Sequence, residues 1–76
     1  MTTIAIKFGR VVREHRERLS LSQEALAELA RLSRSYLGEV ERGSATPSLE
    51  TMQKIAEALD QNLSDLLLEC ENNDQL

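Results

Sequence analysis

The chain is 76 residues long, with 41% hydrophobic and 29% charged residues, one Tyr, one Phe and a formal net charge of −4. That length makes one domain near the size at which a single hydrophobic core just suffices, so a deep catalytic pocket has little room and binding to an external partner is the better expectation. A single cysteine, Cys70, excludes a disulfide framework and a multi-cysteine zinc site. No stretch reaches the ~18 apolar residues of a membrane span, and "MTTIAIKFG" lacks the apolar core of a signal peptide.

Thr3 caps a first helix whose Ile4, Phe8, Val12, His15 and Leu19 recur at spacings of three and four, the mark of one buried face. His15 is the odd member of that stripe. With no second His to accompany it, it reads as a half-buried ring packed on its carbons, one nitrogen bonded to solvent or a neighbour. Ser22, followed by Gln23 and Glu24, caps a second helix of about eight residues with Leu26, Leu29 and Ala30 as its apolar stripe. Ser33 caps a third, carried by Tyr36, Leu37 and Val40 until Gly43 stops it. Pro47 and Ser48 restart the chain into a fourth helix lined by Leu49, Met52, Ile55, Ala56 and Leu59. Ser64 caps a brief fifth, "DLLLEC", and the acidic "ENNDQL" at 71–76 is expected to fray. No strand-like alternation, repeat or low-complexity tract interrupts this pattern, so residues 1–70 read as one all-α domain of five helices with short connections.

The second and third helices, within residues 22–43, are joined by "RLS", too short for an ordinary loop. Two helices joined so tightly form a helix-turn-helix, whose second member can stand out from the domain and enter the DNA major groove. The small Ala27 lets the third helix cross close by, with Leu26, Leu37 and Val40 filling the space between. The net charge does not oppose a DNA partner, because it is unevenly spread. Residues 1–42 hold eight Lys and Arg against six acids, whereas residues 43–76 hold Lys54 against seven acids. A local field, and not the overall charge, steers a polyanion to a surface.

"LSQEALAELA", "SRSYLGEVERG" and "PSLETMQKIAEAL", with the lead-in "FGRVVREHRERLSLSQ", resemble the XRE type of helix-turn-helix regulators, which includes the lambda-like phage repressors and Cro proteins. The resemblance covers about residues 7–68. Within the family, "SRSYLGEVERG" is most similar to the controller proteins of restriction–modification systems, which typically show Arg-Thr-Tyr-Ile where this chain has Arg34, Ser35, Tyr36 and Leu37. The chain departs from the family at Arg31, where Gly usually takes a left-handed turn, and at His15, commonly aliphatic.

The first residues of the Ser-capped third helix, Ser33, Arg34 and Ser35, with Gly38 and Glu39 and with Arg42 a turn beyond, are the candidates for the groove. A guanidinium bonds guanine O6 and N7 bidentately, so Arg34 is the candidate for base readout. Ser35 is short enough to approach a base edge or a phosphate. Glu39 either accepts from cytosine N4 or neutralises a neighbouring arginine, and the Tyr36 ring either rests on a sugar or thymine methyl or packs back onto the domain. The resemblance implies that Gln23 bonds a backbone phosphate, that Ser44 and Thr46 touch flanking phosphates, and that Arg16 and Glu41 form a partly buried ion pair fixing the angle of the third helix. Leu66, Leu67 and Leu68 sweep through about 200° on a helix, so they cannot all face one core. They mark a dimer interface on the fifth helix, about residues 64–70, with Leu68 the candidate outward residue and Leu66 the fallback. The expected function is a cytoplasmic, homodimeric, sequence-specific regulator of transcription that reads a pseudo-palindromic operator and controls its own promoter. No enzymatic activity, cofactor, metal or small-molecule ligand is expected. The alternatives are an antitoxin with a toxin partner, and a helical protein-interaction module without DNA binding.

Overall fold

The structure, a computed structural model, describes residues 3–72. They form α1 (Ile4–Arg18), α2 (Gln23–Leu29), α3 (Arg34–Arg42), α4 (Leu49–Ala58) and α5 (Leu63–Asn72), with no strand among the described residues. Among the described residues no helix is long and apolar enough to cross a membrane.

Four of the five helices start in the same way. The side chains of Thr3, Ser22, Ser33 and Ser48 accept hydrogen bonds from the N–H groups of Ile6, Ala25, Tyr36 and Thr51, satisfying donors that the first helical turn leaves without partners. The fifth start corrects the sequence reading. Ser64 lies inside the first turn of α5, and the carbonyl of Asn62 accepts from the N–H groups of both Asp65 and Leu66. The Asn62 side-chain amide also donates to Asp65 Oδ2, so this start rests on Asn62 two residues before the expected cap. At its far end α5 includes Glu71 and Asn72, which were expected in the fraying tail; the rest of that tail, 73–76, lies outside the described residues.

The helix ends also share one geometry. After α1, α2 and α4, Ser20, Arg31 and Asp60 adopt left-handed backbone with φ of 58°, 60° and 59°. In each case the next N–H reaches back five residues, Leu21 to Arg16, Leu32 to Ala27 and Gln61 to Ala56, closing the Schellman arrangement that satisfies the last helical carbonyls. After α3 the same bond, from Ser44 N–H to the Glu39 carbonyl, turns on Gly43 at φ 77°.

Phe8, Val11 and Val12 of α1 meet Leu26, Ala27 and Ala30 of the α2 segment, Leu37 and Val40 of α3, Ile55, Ala56 and Leu59 of α4, and Leu66 and Cys70 of α5 in one core. Ile4, Leu19, Leu29 and Leu49, read as stripe members, are exposed; Val11 takes the inward place on α1, and Leu29 sits a step off the stripe of Leu26, Ala27 and Ala30. The α1–α3 crossing is close enough that a Cβ at Gly9 would lie 2.2 Å from the Val40 carbonyl oxygen and 2.7 Å from that of Glu41. This contact brings the Arg16 side of α1 against the end of α3.

Candidate nucleic-acid interface

The two helices of the 22–43 segment are linked by four residues, Ala30–Ser33, with Leu26 and Ala27 of one and Leu37 and Val40 of the other buried between them. α3 therefore presents its opposite side outward. Arg34, Ser35, Glu39 and Arg42 are exposed there. Arg13 pairs with Glu17 and Arg16 with Glu41, whereas neither Arg34 nor Arg42 has an ion-pair partner among the described residues. Two uncommitted guanidiniums against the single carboxylate of Glu39 leave this helix face with an excess of positive charge on a chain whose total charge is negative.

Arg16 and Glu41 meet in a fork-like arrangement. Arg16 Nε donates to Glu41 Oε2 at 2.7 Å and Nη2 to Oε1 at 3.0 Å, while Nη1 donates to the Leu21 carbonyl at 2.9 Å. The bonds to Glu41 hold the guanidinium pKa above its ordinary value against the opposing effect of burial. The Glu41 side chain is only 3% exposed, so removing Arg16 would leave a buried carboxylate without its ionic partner. A third group joins them: Gln23 Nε2 donates to Glu41 Oε1 at 3.0 Å. The sequence holds no local signal for that bond, because Gln23 and Glu41 stand 18 residues apart. Its consequence is that the Gln23 amide is held at the α2–α3 seam, with one of its N–H groups committed.

The remaining candidates occupy different settings. Ser33 accepts from the Tyr36 N–H as the cap of α3, which leaves its own hydroxyl proton to donate outward. The Tyr36 ring is half-buried and packs against the core. Ser44 Oγ donates to the Glu39 carbonyl at 3.2 Å, so its proton serves the end of α3. Thr46 is exposed and lines an apolar notch of about 80 Å³ with Ile4, Ala5, Phe8, Pro47, Met52 and Leu67.

On α5 the three leucines separate. Leu66 is fully buried in the domain's own core, which removes it as a dimer contact and as the fallback; Leu67 is half-buried at the notch, and Leu68 is 54% exposed. Burial takes Leu66 because it shares its inward face with Cys70, one turn on. Cys70 is buried, and burial pushes its thiol pKa up, away from thiolate chemistry. His15 Nε2 lies 2.9 and 3.1 Å from the two carboxylate oxygens of Glu69, joining α1 to α5 across 54 residues of chain. That partner answers the question raised by a polar ring on an apolar stripe.

A capped helix with an uncommitted cationic face, set by a short turn against a second helix and braced by a buried ion pair, defines a helix-turn-helix domain. The helix-turn-helix family model matches residues 12–66, and the chain belongs to that family. It is 40% identical over 65 residues to Control protein C.BamHI of Bacillus amyloliquefaciens, covering 84% of this chain and 80% of that protein. It is 45% identical over 51 residues to the immunity repressor protein of Bacillus phage phi105, covering 67% of this chain but only 35% of the repressor, so it spans about a third of that relative. The crystal structure of the restriction-modification controller protein C.AhdI from Aeromonas hydrophila aligns with a TM-score of 0.80 at 48% identity, over 82% of this chain and 94% of that one. The fold and the likeness to controller proteins are those expected from the sequence. These relatives are a repressor protein and control proteins.

Proposed function

We propose that this chain is a sequence-specific DNA-binding regulator of transcription that acts as a C2 homodimer on a pseudo-palindromic operator near its own gene. The observation that carries the reading is the outward face of α3, where Arg34 and Arg42 stand exposed and unpaired beside Ser35 and Glu39. Arg34, in the first turn of α3, reads a guanine edge, and Ser35 approaches the neighbouring base or phosphate. Gln23, Ser33 and Arg42 hold backbone phosphates and set the register. Ser44 and Thr46 contribute at the flank, Ser44 by turning its hydroxyl away from the Glu39 carbonyl. The Arg16–Glu41 pair fixes the direction in which α3 points. The family membership and the regulatory relatives support the same reading.

One α3 reads only a few base pairs, so two copies about a two-fold axis are required for a specific site, with half-sites centred about 10–11 base pairs apart. The exposed Leu68, next in the chain to the notch-lining Leu67, supplies the apolar surface for that pairing. Footprinting on the DNA upstream of the protein's own gene tests the whole proposal. The expected result is two protected half-sites with dyad symmetry, and binding that weakens steeply as salt rises through counterion release. Binding that is equal on random DNA, or indifferent to salt, would reject it.

A further inference from the structure

Two glycines inside helices invite opposite explanations. Gly9 is required by the fold, because a Cβ there would collide with the Val40 and Glu41 carbonyl oxygens. Gly38, in the middle of α3, is not. A Cβ at Gly38 would meet Arg42 Nη1 at 3.1 Å and Gln23 Oε1 at 3.9 Å, and the next nearest atom, Arg42 Cζ, lies at 4.0 Å. Only the first is tight, and it belongs to the far end of the flexible Arg42 side chain, which has to give by a few tenths of an ångström; the other two are ordinary van der Waals contacts. Glycine is nevertheless a poor residue for a helix interior, where it loses more backbone entropy than alanine and packs nothing. The domain itself would be more stable with alanine at this position.

Gly38 lies one turn after Arg34 and one turn before Arg42, so the three share a stripe of α3. It counts as buried even so. Its cover is the Arg42 guanidinium folded back along the helix and the Gln23 amide reaching over from α2, the amide whose nitrogen is held by Glu41. Both groups belong to the face proposed for DNA.

We propose that Gly38 is an affinity-determining positioning residue: its missing side chain forms the seat in which the Arg42 guanidinium rests beside Gln23, so that both groups meet the same stretch of DNA backbone. This rests on the DNA-binding reading above and adds to it the residue that sets where Arg42 acts. A methyl group at this position would push Nη1 outward from the seat and separate the two contacts. Gly38 itself touches DNA through no side chain and acts through Arg42.

The test compares Gly38→Ala, Arg42→Ala and the double variant with the unaltered protein, on a duplex spanning the region upstream of its own gene and on a random duplex of equal length. Gly38→Ala is expected to raise the Tm by about 4–8 °C, the full gain in helix propensity for a domain of this size. It is expected to weaken binding about tenfold on both duplexes and to reduce the salt slope by about one, as loss of a phosphate contact does. In the Arg42→Ala background the same substitution should change affinity little, because the seat then has no occupant. A raised Tm with unchanged affinity would overturn the proposal, as would a lowered Tm, which would make Gly38 a requirement of the fold. A tenfold loss that persists undiminished in the Arg42→Ala background would also overturn it. Failure of the unaltered protein to bind either duplex would instead reject the DNA-binding reading, and that result is visible before any variant is made.

Discussion

Arg34 and Gln23 represent the two kinds of contact that such an interface uses. Arg34 is exposed and unpaired near the start of α3, free to pair with a base edge, whereas the Gln23 amide is tethered to Glu41 and suited to holding a phosphate at a fixed place. Arg34→Ala is therefore expected to cost about 1–3 kcal/mol on the cognate duplex and to flatten discrimination at one base position. Gln23→Ala should weaken all sequences alike. Binding titrations on cognate and random duplexes separate the two, and equal losses for Arg34→Ala would remove it from base readout. The Arg16–Glu41 pair makes a different demand. Its side chains are 12% and 3% exposed, so either single alanine substitution strands a charge in low dielectric and should destabilise the fold by on the order of 3 kcal/mol. The double substitution should cost less than the two singles together, read by denaturant unfolding in a double-mutant cycle. Additive losses would show that Arg16 and Glu41 are not energetically coupled. Glu41→Ala should also loosen Gln23 and weaken DNA binding beyond the effect on stability.

At the level of the elements, a single helix end recurs with different residues. Gly43 is suited to its φ of 77°, but Ser20, Arg31 and Asp60 hold left-handed backbone with side chains that resist it, at about 1–2 kcal/mol for each. Glycine relieves that strain and gives back part of the gain through the entropy of the unfolded chain. Ser20→Gly, Arg31→Gly and Asp60→Gly are each expected to raise the Tm, with an order that electrostatics decides. Asp60 follows the C-terminus of α4, where a negative charge opposes the helix dipole, so its replacement should gain most. Arg31 follows the C-terminus of α2, where its positive charge is favoured, so it should gain least. Thermal melts of the three variants check both the sign and the order. A fall in Tm at Arg31 would mean that its charge contributes more than its backbone costs.

For the whole molecule, the question is what the apolar surface of α5 faces. Leu68 is 54% exposed while Leu66 is fully buried, so the same substitution at the two positions has different meanings. Leu68→Asp is expected to give a folded monomer that binds its operator weakly and without cooperativity. Leu66→Asp should unfold the domain, because it places a charge in the core that all five helices share. Sedimentation and circular dichroism together distinguish these outcomes. A Leu68→Asp protein that remains dimeric at micromolar concentration would move the interface to the start of α1, where Ile4 and Ile6 are exposed.

The features legible in the sequence are those whose partners lie within one helical turn. A Ser or Thr accepts from an N–H three residues on, so Thr3, Ser22, Ser33 and Ser48 mark their helices without knowledge of the rest of the chain. Spacings of three and four likewise disclose most of the core stripe, and the short "RLS" junction discloses the helix-turn-helix. The α5 start is ambiguous in the sequence because Ser64 and Asn62 are both competent caps, and the docking of Leu66 and Cys70 in the core accompanies the register that begins at Leu63. The pairing of Arg16 with Glu41 came from family resemblance, since 25 residues separate them. The bonds of Gln23 to Glu41 and of His15 to Glu69, and the approach of Arg42 and Gln23 over Gly38, had no local signal at all. Local chemistry thus determined where four of the five helices begin and most of which faces are apolar. Tertiary packing decided which polar side chains meet and which leucine remains outside, because those outcomes depend on distances between segments that the chain brings together only when it folds.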